Sequence, residues 1–161
     1  MRVLLQRVTE ASVSVEGEKV GEIGKGLVLL VGIKNGDTEE DARYLANKCL
    51  QLRIFEDEFG KMNISALETR ADILAVSQFT LYANTRKGRR PSFVEAAPPE
   101  KSRPLFDYFV ALLKRSGLKV ATGIFGANMS VRIFNDGPVT IWLDSTDRLK
   151  PRKGSRVENK H

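Results

Sequence analysis

Seven consecutive residues, Leu27-Val28-Leu29-Leu30-Val31-Gly32-Ile33, present no polar side chain, and this run constrains the architecture more than any other stretch of the chain. A strand with one wet face alternates apolar and polar positions, so an unbroken apolar run opened by Gly24-Lys25-Gly26 reads as a central strand buried on both faces. Such a strand needs cover above and below. Helical cover is on hand: Asp37-Thr38-Glu39-Glu40 opens a helix with acidic residues in its first turn, and Ala42, Leu45, Ala46, Cys49 and Leu50 follow on one stripe. A second amphipathic stripe runs through Pro104, Leu105, Tyr108, Phe109, Leu112 and Leu113 and stops near Gly117.

The remaining apolar segments read as shorter strands. Residues 1–8 and 11–17 form two of them, with Gly17 at a turn, and Asp72–Val76, Val120–Ile124, Val131–Phe134 and Val139–Leu143 supply four more. Residues 61–70 are too mixed to assign, and Tyr82–Pro99, with its glycine and prolines, reads as a loop. About eight strands and two helices in 161 residues predict one α/β domain in three layers, a curled and mostly antiparallel sheet or pair of sheets beneath two covering helices.

Several chemistries are excluded at this level. His161 is the only histidine and ends a polar tail, so the chain cannot assemble an internal Ser-His-Asp or Cys-His arrangement or a histidine-rich zinc site. Cys49 is the single cysteine, which rules out an intrachain disulfide and a cysteine metal cluster and reads as a small buried hydrophobe. No cofactor is expected, because no nucleotide loop of Rossmann or Walker type is present. Charges at Arg2 and Arg7 break any signal-like run, and no segment reaches the length a bilayer requires, so a cytoplasmic protein without a membrane partner is expected. Residues 145–161 hold six Lys/Arg against two acidic groups, and so +4 of the net +6; this segment is expected to be a basic, disordered tail beyond a domain of residues 1–144.

Two polar words stand at the ends of strand-like runs: Ser77-Gln78-Phe79-Thr80 and Asn135-Asp136-Gly137-Pro138-Val139-Thr140. Taken together they resemble the two signature motifs of the D-aminoacyl-tRNA deacylase family, and the likeness extends from Met1 to about Asp144. On the residues alone, Ser77 and Thr80 are strand-edge hydroxyls, Phe79 is core and Gly137-Pro138 is a turn before the last strand.

The resemblance implies more. It implies the deacylase-family fold, a pocket for an aminoacyl ester lined by Ser77, Gln78, Phe79 and Thr80, and a homodimer in which a cis Gly137-Pro138 enters the partner's pocket. There its carbonyls would face the Cα substituent, so that an L side chain collides while D-aminoacyl-tRNA, and glycyl-tRNA with only hydrogens, are accepted. An aminoacyl ester is already activated, and a positioned water with a stabilised oxyanion suffices; Gln78 and the backbone at Phe79 are the candidate oxyanion donors, and Thr80 would position substrate or water. A nucleophilic Thr80 is the lesser alternative, since nothing nearby would activate it.

Phe125 and Met129 stand as either pocket wall or ordinary core, with Asn128 where the family often has Asp. Lys87, Arg89 and Arg90, close behind the first motif, are candidates for phosphate contacts with the tRNA 3′ end. No DNA partner is expected. The alternative from another class is a noncatalytic, dimeric RNA-binding domain, which would leave both motifs without a role.

Overall fold

The computed structural model describes residues 1–152; residues 153–161, which include His161 and the second half of the expected basic tail, lie outside the described residues. The apolar run is the strand β3 (Gly26–Gly32), with both faces covered. It lies between β1 (Arg2–Val15), antiparallel to it, and β6 (Asp72–Ser77), parallel to it. β2 (Glu18–Ile23) extends the sheet beyond β1, β7 (Val120–Thr122) extends it in parallel beyond β6, and β8 (Ser130–Asp144) pairs along the length of β1. The order is β2-β1-β3-β6-β7, and the sheet is mixed, its two parallel ladders both involving β6. Its two edges curl toward each other: a Cβ placed on Gly21 of β2 would lie 2.7 Å from the carbonyl oxygen of Thr122 in β7. Glycine is what permits that approach.

Each of the strands predicted at 1–8 and 11–17 is half of β1, and those at 131–134 and 139–143 are halves of β8. The reason is a pair of register shifts between β1 and β8, at Gln6/Val8 and Val8/Glu10. Bulges let a strand continue while its side-chain phase slips. Buried positions therefore move from Val3 and Leu5 to Val8 and then to Ala11 and Val13, which looks in sequence like an interruption.

Two apolar layers follow from the alternation on β3 and β6. Leu27, Leu29, Val31, Ile73 and Ala75 face the helices, whereas Val28, Leu74 and Val76 face the inside of the curled sheet with Val8, Val13 and Ile23. α1 (Glu39–Gln51) begins where expected, and the Asp41 carboxylate accepts the Thr38 amide at 2.8 Å to close its first turn. Cys49 on its inner face is fully buried, and burial pushes its thiol up to about 12.

The described residues contain three α-helices rather than the two expected. The additional one is α2 (Ala66–Thr69), too short for a periodic signal and held by Ser65, whose Oγ accepts the Glu68 amide at 3.1 Å. β4 (Phe55–Glu56) and β5 (Met62–Ile64) form a small hairpin before it. α3 (Pro99–Arg115) starts five residues before Pro104, because Pro99 occupies the first helical position, where a missing N–H costs nothing.

Ser145–Leu149 forms a 3-10 turn past the boundary expected at Asp144. Ser145 is fully buried there, its Oγ accepting the α-amino group of Met1 at 2.9 Å. Among the described residues, no helix is long and apolar enough to cross a membrane.

Candidate active site

The parallel pair β3 and β6 ends on the same side of the sheet, and there Val31, Ile33 and Val76 form the floor of a cavity of about 590 Å³. Beyond Ser77 the chain leaves the sheet: the Gln78 amide donates to Val31 O at 2.7 Å, and Phe79–Tyr82 wind into one 3-10 turn. This pins the first motif over the cavity. Phe79, 57% exposed, meets Phe93 edge to face at 5.1 Å between ring centres, so the returning end of the loop supplies one wall. The first turn of α3, through Pro99 and Ser102, supplies another, and Phe125 to Met129, with Phe125 packed against Phe106 of α3, completes the lining.

All four residues of the first motif thus line one cavity together with Phe125 and Met129. Met129 does both things the sequence left open, because its thioether also packs on the inner apolar layer beside Gly123. Among the described residues, none that lines the cavity is ionisable. The polar equipment is Ser77, Gln78, Thr80, Ser102, Asn128 and backbone. Gln78 Nε2 donates to Thr80 Oγ1, which orients both side chains, and Ser102 Oγ is committed to Pro98 O at 3.2 Å. The amides of Phe79 and Thr80 open the 3-10 turn and have no protein acceptor among the described residues. Uncommitted donors over an apolar floor suit a carbonyl oxygen that gains negative charge.

Gly137-Pro138 is elsewhere. It forms an exposed protrusion of β8, joined by a cis peptide, and is not part of the cavity wall of its own chain. Asn135 ties its base, accepting the Val139 amide at 2.8 Å and donating to Thr140 Oγ1 at 2.9 Å. Beneath it lies Arg7, only 4% exposed, whose guanidinium donates to Ile54 O at 2.7 Å and Asp136 O at 3.3 Å and pairs with the Asp136 carboxylate at 3.3 Å. Arg7 was missed from sequence, where its charge served only to interrupt a signal-like run, although strand alternation puts it in phase with the buried Val3 and Leu5.

Lys87, Arg89 and Arg90 are exposed in a loop whose base is closed by reciprocal bonds between Asn84 and Ser92, at 2.7 and 2.8 Å. They do not line the cavity. Phe93 and Ser102 do and were not anticipated; an aromatic in a loop and a serine on a helix carry no signal until the fold brings them together.

Comparison with known proteins bears on family and fold. A family model described as D-Tyr-tRNA(Tyr) deacylase matches residues 4–144. A D-aminoacyl-tRNA deacylase of Thermomicrobium roseum is 60% identical over 147 residues, covering 91% of this chain and 96% of its own. One from Chloroflexus aurantiacus is 56% identical over 160 residues, covering 99% and 100%. Among solved structures, a c-Myc DNA Unwinding Element Binding Protein superposes with a TM-score of 0.84 at 43% identity, covering 89% of this chain and 98% of its own. A probable eukaryotic D-amino acid tRNA deacylase reaches 0.76 at 21% identity, covering 88% and 97%, which bears on the fold.

Proposed function

The chain belongs to the D-Tyr-tRNA(Tyr) deacylase family, and from that membership we propose how its neutral cavity removes D-amino acids from tRNA. It is a D-aminoacyl-tRNA deacylase, a hydrolase of the proofreading kind. Water adds to the ester carbonyl, the oxygen becomes an oxyanion held by the Phe79 and Thr80 amides with Gln78, and the bond to the ribose oxygen breaks. The attacking water's proton passes to the leaving ribose oxygen by way of the adjacent ribose hydroxyl. Free tRNA and the amino acid result. No protein base is needed, in keeping with a cavity whose lining, among the described residues, holds no ionisable side chain.

The single observation that carries this reading is the separation of the two motifs. Ser77–Thr80 lines the cavity, whereas Gly137-Pro138 projects from the same chain outside it. A twofold homodimer resolves the separation, each protrusion entering the other subunit's cavity. Phe134 and Trp142, 53% and 49% exposed on the same strand, flank the protrusion as apolar surface for such a contact. The carbonyls of Gly137-Pro138 then exclude an L side chain at Cα, and glycyl-tRNA is a substrate alongside D-aminoacyl-tRNA. Lys87, Arg89 and Arg90 hold tRNA phosphates, and the protein works in the cytoplasm.

A second reading is favoured by the 43% identical c-Myc DNA Unwinding Element Binding Protein, whose name describes DNA binding: this chain binds its nucleic acid without turnover. Incubating purified protein with D-aminoacyl-tRNA and glycyl-tRNA, against spontaneous ester loss, separates the two. Catalytic release of the amino acid from both supports the deacylase mechanism; retention of tRNA with no release leaves the binding module.

A further inference from the structure

A second groove of about 450 Å³ adjoins the cavity, and Phe125 belongs to the walls of both. One side of this groove is α3. Residues 103, 107, 110 and 114 follow the i, i+4, i+7, i+11 spacing of one helical face, and Arg103, Asp107, Val110 and Lys114 all line the groove. The first turn of α3, at Pro99 and Ser102, lines the cavity, so the helix leads from one depression into the other. From Arg103 to Lys114 the axis advances by roughly 16 Å. The opposite side is Thr122, Gly123 and Ile124, the last 47% exposed.

The cations are uncommitted. Among the described residues neither Arg103 nor Lys114 takes part in an ion pair, and the Arg103 guanidinium rests 5.9 Å from the centre of the Phe125 ring. Two exposed cations along a trough with apolar walls, opening at an aromatic ring onto a site for a terminal nucleoside, complement a single-stranded polyanion with flat bases. We propose that the α3 groove is the track for the single-stranded 3′ end of the substrate RNA. The terminal aminoacylated nucleoside sits in the main cavity, the strand turns over Phe125, and Arg103 and Lys114 take phosphates of the preceding nucleotides.

Asp107 lies between the two cations on the same face. Its carboxylate repels a phosphate, so the strand makes its ionic contacts at the two ends of the groove. Removing that charge should strengthen binding, a response of opposite sign to removal of the cations.

The track rests on the deacylase reading, and the test keeps the two apart by using two substrates. D-aminoacyl-adenosine fills only the main cavity, whereas D-aminoacyl-tRNA extends into the groove. The variants are R103Q/K114Q, D107N and, as an equal-charge control away from α3, K25Q/K61Q.

With the tRNA substrate, R103Q/K114Q should raise KM about tenfold at low salt, the effect of two exposed contacts, leave kcat unchanged, and flatten the salt dependence of log KM by about 1.4. D107N should lower KM. The control pair should match the parent, and all variants should match it on D-aminoacyl-adenosine. Equal losses in R103Q/K114Q and in the control, an unchanged KM for tRNA, or a loss shared by D-aminoacyl-adenosine would each overturn the track. If the parent protein hydrolyses neither substrate, the deacylase reading itself fails; tRNA affinity measured by anisotropy, unchanged in R103Q/K114Q, then rejects the track, while affinity lowered in R103Q/K114Q and raised in D107N upholds it.

Discussion

At the scale of single residues the proposed site would work by placement, since none of the described residues that line the cavity carries a charge. Thr80 is the test. Its hydroxyl accepts from Gln78, and no cation or base in the cavity lining would turn it into an alkoxide. Thr80→Ala removes that one hydrogen bond, about 1 kcal/mol, so kcat should fall by no more than about tenfold; loss of turnover with D-aminoacyl-tRNA still bound would make Thr80 the nucleophile. Arg7 acts through others, since it touches the base of the protrusion and not the cavity. Arg7→Gln should cost about 1–3 kcal/mol in urea unfolding, because Asp136 and Glu56, 39% and 58% exposed, regain water when the cation is gone. It should also lower the preference for D over L substrate. A variant that is less stable yet equally selective would reduce Arg7 to a packing role.

At the scale of elements, the loop from Tyr82 to Pro99 contributes Phe93 to the cavity and presents Lys87, Arg89 and Arg90 to solvent. Neutralising all three should weaken tRNA binding more at low than at high salt, with the slope of log K against log salt reduced by about 2 to 3 for three phosphate contacts; an equal loss at both salt levels removes the phosphate role. The elements also differ in how readable they were. β3 was plain because burial on both faces leaves an unbroken apolar run. Ser77–Thr80 stood out only through its resemblance to a family motif, since on the residues alone it read as strand-edge hydroxyls around a core Phe79, which the structure leaves 57% exposed. β1 and β8 were each divided in two, since a bulge shifts the apolar phase just as a turn does. α2, at four residues, has less than two turns in which to show a period. Arg7 matters through Ile54 and Asp136, dozens of positions away, and Phe93 and Ser102 through a cavity whose other walls come from separate segments, which spacing along the chain does not encode.

At the scale of the whole molecule, stability and selectivity both depend on contacts that join distant segments. Asp41 and Asp144 are drawn by burial toward higher pKa values, but hydrogen bonds win: Thr38 and Ser145 for Asp41, and Thr146 with Arg2 for Asp144, leave both carboxyls below their ordinary 3.8. Groups lowered on folding stabilise the protein above 3.8, and that stabilisation is lost as pH falls through their folded values. The urea midpoint should therefore hold between pH 5 and 7 and drop below about pH 4; a midpoint unchanged at pH 3 would mean these bonds contribute nothing net. In the proposed dimer, selectivity would be set by assembly, with the cavity of one subunit meeting the Gly137-Pro138 protrusion of the other. Such a device would read the hand of Cα and be nearly indifferent to the side chain. The most direct measurement is the ratio of kcat/KM for matched D- and L-aminoacyl-tRNA, taken for one large aromatic and one small polar amino acid. Exclusion by a clash of about 3 kcal/mol predicts a preference for D of at least about a hundredfold, similar for both amino acids. A ratio near one, or a preference present for the aromatic and absent for the polar residue, would contradict it.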